Sequence, residues 1–326
     1  MRIVRLCTAG AVFCIAMLAI TRNADGSAHV EKVVPDGPGG EDQKVRGEMA
    51  LAAHQGFLFA KTSVPGGEHG WFVVDMASKQ TVVLKRMLPP DAYINTDEQQ
   101  TGLPGESRLS AALGAFGVAP AILGTVHLRT LEIGGLLFHD VDALVAASLP
   151  EAGGRSTSGI LGFNLLKRAE VLDVDLSISP PALRMRSSAG TVKEGYIDIP
   201  ILVREEAVFL HGEINGKQVD FLLDSGAPES FVSTGAMRLA GLVAHPDSRH
   251  DVLCMNGKTV SVSSTRAGDV QLGGRNFSGM RFNIAELPVY CNFRSNETPA
   301  LLGTDFLELV GRIEIDFRKN VARIPK

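Results

Sequence analysis

A chain of 326 residues that is 45% hydrophobic and 21% charged has the makeup of an ordinary globular protein, with material for one large domain or two smaller ones. Its formal net charge of -4 speaks against a nucleic-acid partner. Thirty-five glycines, few aromatic residues and many short Val/Ile/Leu runs between turn residues indicate a β-rich fold.

Met1-Arg2 and Arg5 form a short positive region, Leu6 to Ile20 is an uncharged apolar run, and Gly26-Ser27-Ala28 offers a small-residue cleavage site. Residues 1–28 therefore read as an export signal, and the protein is expected to be periplasmic or secreted. The apolar run is about fifteen residues, short of the roughly twenty that span a bilayer, so membrane anchoring by an uncleaved segment is the alternative. Cys7 and Cys14 fall in this segment, where bulky Phe13 spoils a lipoprotein box. Export would leave Cys254 and Cys291, which an oxidising compartment would bridge; two buried free thiols are the competing reading. Residues 29–48, with Pro35, Gly37, Pro38, Gly39 and Gly40, read as a flexible leader.

Beyond the leader the chain repeats itself. Leu58-Phe59-Ala60 and Trp71-Phe72-Val73-Val74 are two expected strands, the second ending at Asp75. Val208 to Ile214 and Val219 to Leu223, joined by an Asn215-Gly216 hairpin turn, end at Asp224 in the same way. Laid without gaps, residues 73–83 align with 222–232, so that the carboxylate and a hydroxyl six positions later coincide. Gly134-Gly135 matches Gly273-Gly274 as a turn between strands, and Ile160-Leu161-Gly162 answers Leu301-Leu302-Gly303, each followed by a short helix and a strand. These blocks keep one order and are offset by roughly 140 to 150 residues, which indicates two copies of one β-rich unit, 49–190 and 191–326.

An apolar strand ending in Asp224-Ser225-Gly226-Ala227, followed by Ala300-Leu301-Leu302-Gly303 and a short helix, resembles the retropepsin-like and pepsin-like aspartic peptidases, closest to the units of bacterial exported proteins. The resemblance implies an all-β, mainly antiparallel, bilobal fold of two barrel-like units with short helices. It implies a catalytic dyad of Asp224 and Asp75, one aspartate from each unit, acting on a peptide or protein substrate with no cofactor and no metal. Two close carboxylates share a proton, so one can activate water while the other serves the peptide carbonyl. Ser225 would bond across the paired turns, Gly226 would let the backbones approach, and Ala227, lacking a hydroxyl, would leave the dyad titrating somewhat high. Met255, Asn256 and Gly257 would form a flap in the second unit, with Gly114 and Gly117 in the matching segment of the first. A disulfide from Cys254 to Cys291 would tie the flap to the loop before Leu302 and Gly303.

The first unit departs from the family at Met76 and Ala77, where Ser or Thr and then Gly are expected, and at Phe163-Asn164, against Thr304-Asp305. Met76 has no side-chain donor, and the Ala77 methyl would hold the turns apart. Three readings stay open: an exported endopeptidase with an internal Asp75–Asp224 pair, a homodimer joining Asp224 of two chains, or an inactive peptide-binding relative. The eight histidines lack zinc-site spacing. Gly154-Arg155-Ser156-Thr157-Ser158-Gly159 is no nucleophile elbow, because its glycines are misplaced about the serines.

Overall fold

The computed structural model describes residues 44–96, 122–187, 194–204, 206–246, 248–253, 259–286 and 299–326. The export signal, most of the leader, Gly114, Gly117, Cys254, Met255, Asn256, Gly257 and Cys291 lie outside these residues.

In the first half, β1 (Gly47–Ala50), β2 (Ala52–His54), β3 (Phe57–Ser63), β4 (His69–Val74), β5 (Val82–Leu84), β6 (Ile122–Ile133), β7 (Leu136–Ala146) and β8 (Gly159–Leu161) precede helix α1 (Phe163–Leu166), with β9 (Val171–Asp175) and β10 (Ala182–Arg186) after it. In the second half, β11 (Tyr196–Arg204), β12 (Ala207–Ile214), β13 (Lys217–Leu223) and β14 (Phe231–Val232) lead to helix α2 (Thr234–Leu239). There follow β15 (His250–Leu253), β16 (Thr259–Arg266), β17 (Asp269–Leu272), β18 (Arg275–Ser278), β19 (Arg281–Ile284), β20 (Pro299–Leu302), helix α3 (Thr304–Val310), β21 (Arg312–Asp316) and β22 (Val321–Pro325). Gly47 and Glu48, assigned above to the leader, already pair with Met185 and Arg184.

Local chemistry sets the hairpins. Asn215 (φ 50°) and Gly216 (φ 72°) turn β12 into β13, and Gly273 (φ 57°) and Gly274 (φ 83°) turn β17 into β18. Both need left-handed backbone at two successive residues, which Gly and Asn adopt at least cost.

The strands form two networks. One sheet of seven runs β2-β3-β4-β8-β5-β7-β6. The other, of fifteen, runs β1-β10-β9-β21-β22-β11 and continues through β12-β13-β20-β14-β19-β16-β15, with β17 and β18 joined at β12. Within the first half β4 and β8 are parallel, β5 and β8 antiparallel, and β5 and β7 parallel. In the second half β13 with β20, β14 with β20, and β14 with β19 take the same three orientations. Each strand that ends in a carboxylate thus lies beside the closing strand of its own half.

The stretch β1-β10-β9-β21-β22-β11 draws strands from both halves and joins them. β9 and β21 run antiparallel with Asp173 opposite Glu314. Asp173 is fully buried and takes Arg312 Nε at 2.8 Å and Nη2 at 2.6 Å. Arg186 bonds Glu314, and Arg323 Nη1 reaches Glu314 Oε1 at 2.8 Å. Charges this deep stay ionised only because each meets an opposite charge. The other face is apolar, with Leu172, Val174, Ile313 and Ile315 in the main core.

Candidate active site

Alternation along β4 puts Phe72 and Val74 on one face and Trp71 and Val73 on the other. Phe72 and Val74 join the main core, whereas Val73 packs with Phe59 and Ala152 in a separate cluster flanked by Trp71. The Asp75 N–H donates to Leu161 O at 3.0 Å, which extends the β4–β8 ladder by one residue and gives Asp75 the parity of Trp71 and Val73. The second half follows suit. Phe221 and Leu223 enter the main core, Leu222 packs with Phe209 and Leu301, and the Asp224 N–H donates to Leu302 O at 2.9 Å.

The two aspartates are brought together. A methyl group at Gly226 would stand 2.4 Å from Asp75 Cγ and 2.5 Å from its Oδ2, so the Asp75 carboxyl lies directly against the Gly226 backbone. Both carboxyls are buried, with 1% of Asp75 and none of Asp224 exposed. Asp75 Oδ1 accepts from the N–H groups of Ala77 and Ser78, both at 2.9 Å. Asp224 Oδ1 accepts from Gly226 N–H at 2.8 Å. Oδ2 of each is buried without a donor from the protein. The carboxyls are close enough to hydrogen-bond one another once one is protonated, and a proton shared between them satisfies both oxygens.

Electrostatics separates the pair. Burial raises the Asp75 pKa above the ordinary carboxylate value, opposed by its two N–H donors and by the bond with Asp224. Burial raises Asp224 much further, and the charge on Asp75 adds to the rise. Asp75 is therefore the member that ionises first, and Asp224 keeps the proton.

The turns are locked across the halves by one hydroxyl. Ser225 Oγ donates to Val74 O at 2.8 Å and accepts from Met76 N–H at 3.2 Å. Two expectations from the sequence are corrected here. Ala77 does not hold the turns apart, because its methyl is taken into the second half's apolar cluster beside Ala227, Phe231 and Leu301. Met76 does contribute to the lock, through its backbone N–H, while its side chain is fully buried in the main core.

The closing strands are pinned by the hydroxyls six residues after each aspartate. Gly162 N–H donates to Thr81 Oγ1 at 3.2 Å, and Gly303 N–H to Ser230 Oγ at 3.1 Å. Asn164 Oδ1 accepts from the Thr81 N–H and hydroxyl, both at 2.8 Å; Asp305 accepts from the Ser230 hydroxyl at 2.7 Å and its N–H at 3.0 Å. Asn164 thus performs the same fastening as Asp305, and the departure noted in the sequence leaves the local lock intact. Gly162 and Gly303 admit no side chain: a methyl would lie 2.4 Å from Gln80 O in one case and 2.6 Å from Glu229 O in the other. Leu161 and Leu302 are fully buried.

One feature escaped the sequence reading. Arg155 stands over the Trp71 ring at 4.7 Å and the Phe59 ring at 5.1 Å, on the Asp75 face of β4. Its stacking depends on three segments distant in sequence, and no spacing announces it.

Residues 210–306 match the family model described as aspartyl protease. No curated protein matches the chain in sequence. Among solved structures, the aspartic proteinase from Irpex lacteus is similar with a TM-score of 0.50 at 12% identity, covering 86% of this chain and 97% of its own. Basic 7S globulin from soybean gives a TM-score of 0.47 at 10% identity, with 86% and 95% covered. The described strands and few short helices form an all-β, bilobal protease fold. The sequence match over residues 210–306 and the pepsin-like fold together identify the protein as a relative of the retropepsin-like and pepsin-like aspartic peptidases.

Proposed function

We propose that the protein is an exported aspartic endopeptidase in which Asp75 and Asp224 of one chain form the dyad. The observation that carries this reading is the placement of the Asp75 carboxyl against Gly226, with an orphaned oxygen on each aspartate. It favours an internal pair over two chains meeting through Asp224. The ionised Asp75 takes a proton from a water as that water attacks the peptide carbonyl, and Asp224 gives its proton to the carbonyl oxygen. Collapse of the resulting diol returns a proton to the leaving amine and breaks the C–N bond. The correspondence of pairings about β4 and β13 supports two copies of one unit, and the N-terminal residues support export.

The test uses protein recovered from the exported fraction, where an N-terminus near His29 also reports removal of the signal. It is expected to cleave an unfolded protein chain, and Asp224→Asn and Asp75→Asn are each expected to lower the rate by about 100-fold or more. Activity that survives Asp75→Asn would defeat the internal pair. Absence of cleavage by the unaltered protein would leave the peptide-binding reading in its place.

A further inference from the structure

The face of β4 that ends at Asp75 carries an apolar patch made by Phe59, Val73 and Ala152, bordered by Phe57 and Trp71. Phe59 lies opposite Val73 across the β3–β4 ladder. Arg155 covers this patch. The turn that presents it is closed by two backbone bonds, Ala152 N–H to Arg155 O and Arg155 N–H to Ala152 O, both 3.0 Å. Its guanidinium is seated over two rings, 4.7 Å from the Trp71 centroid and 5.1 Å from that of Phe59.

Stacking holds a guanidinium by its face and leaves the N–H groups at its edge available. The partly buried arginines of the central sheet show the usual remedy: Arg184, Arg186, Arg312 and Arg323 each meet a carboxylate. Arg155 is also only partly exposed, yet among the described residues no carboxylate pairs with it and no acceptor takes its guanidinium N–H groups. A fixed, half-dehydrated fork of donors beside a reactive cleft is suited to a planar carboxylate.

We infer that Arg155 determines specificity by binding an acidic side chain of an extended peptide, two to four residues from the bond that Asp75 and Asp224 flank. The distance follows from the strand. Val73 and Trp71 lie two and four residues before Asp75, and an extended substrate advances by the same roughly 3.3 Å per residue. This inference rests on the cleft reading of the dyad, and its test is built to fail separately.

Trp71 is the sole tryptophan, so its fluorescence reports directly on what reaches Arg155. In Asp224→Asn protein, which removes turnover, tryptophan-free peptides of one sequence are titrated with Glu or Gln at each position in turn. At one or two positions the Glu peptide is expected to bind about tenfold tighter than its Gln counterpart, with the preference weakened by salt. The preference should vanish in Arg155→Gln, survive in part in Arg155→Lys, and turn toward Lys peptides in Arg155→Glu, with each variant's thermal melting confirming that it is folded. Equal binding of Glu and Gln peptides at every position, or a Glu preference that persists in Arg155→Gln, overturns the inference. Glu-selective binding by a protein that cleaves nothing would instead overturn the endopeptidase reading and leave Arg155's role standing.

Discussion

The loops that follow β4 and β13 hold their aspartates by unequal means. After β13 the side chains do the work: the Ser225 hydroxyl spans the gap to Val74 O and Met76 N–H, and Gly226 offers bare backbone to the opposing carboxyl. After β4 the backbone does it, with Met76 supplying an N–H to Ser225 and Ala77 and Ser78 supplying two more to Asp75. A motif can therefore lose its family residues on one side and keep its geometry, provided the other side retains the hydroxyl and the glycine. The same asymmetry divides the chemistry, since the better-donated Asp75 ionises first and the more strongly raised Asp224 retains the proton.

The sharpest way to break the comparison is to exchange the small residues. Gly226→Ala places a methyl 2.4 Å from Asp75 Cγ, where only a displaced carboxyl or backbone can relieve the clash. It is expected to abolish peptide cleavage and to cost about 1–3 kcal/mol in chemical unfolding, the usual range for overpacking. Ala77→Gly on the other side removes a methyl buried beside Ala227 and leaves the Asp75 hydrogen bonds in place. Activity should persist with about 1 kcal/mol lost to backbone freedom and the small void. If Gly226→Ala cleaves as well as the unaltered chain, the two loops are not as close as described.

The pH dependence of stability sharpens the division of the proton. Because burial, and then the Asp75 charge, raise Asp224 well above the ordinary carboxylate value, the folded chain holds a proton that the unfolded chain has already released. With more protons bound in the folded state, stability falls as pH rises from the ordinary carboxylate value up to the raised one, and is level below that window. Asp224→Asn removes this penalty. Its melting temperature should exceed that of the unaltered chain at neutral pH, and the gap should close as pH drops toward 3. A gap that stays constant with pH would contradict a protonated Asp224.

How much of this the sequence carried depends on the range of the interaction concerned. The Asn215-Gly216 turn, the paired Gly-Gly turns and the apolar strands ending at Asp75 and Asp224 are local signals, and each lies where its residues imply. The hydroxyls at Thr81 and Ser230 could be aligned from the repeat, though their bonds to Gly162 and Gly303 needed the fold. Asn164 looked like a loss because it is not Asp, yet an amide oxygen accepts from Thr81 as a carboxylate does from Ser230. Ala77 was misjudged for a related reason. Whether a methyl separates two turns depends on the pocket opposite it, here built by residues such as Phe231 and Leu301 far along the chain. Arg155 was illegible because its rings come from β3 and β4 and nothing in its own segment points to them.

The mildest contrast separates side chain from backbone in the lock itself. Ser225→Ala removes an acceptor from Met76 N–H and a donor from Val74 O in a fully buried place, and two stranded polar groups should cost about 1–3 kcal/mol in denaturant unfolding. Met76→Leu alters a fully buried side chain of similar volume and leaves the N–H where it is, so the loss should stay below about 1.5 kcal/mol with cleavage retained. The double variant then tests whether the two residues act through the one hydrogen bond. If Met76 works only through its N–H, the losses add, because the leucine changes nothing that the serine touches. A coupling well above about 0.5 kcal/mol would mean that the Met76 side chain itself shapes the turn, and that the first loop depends on more than its backbone.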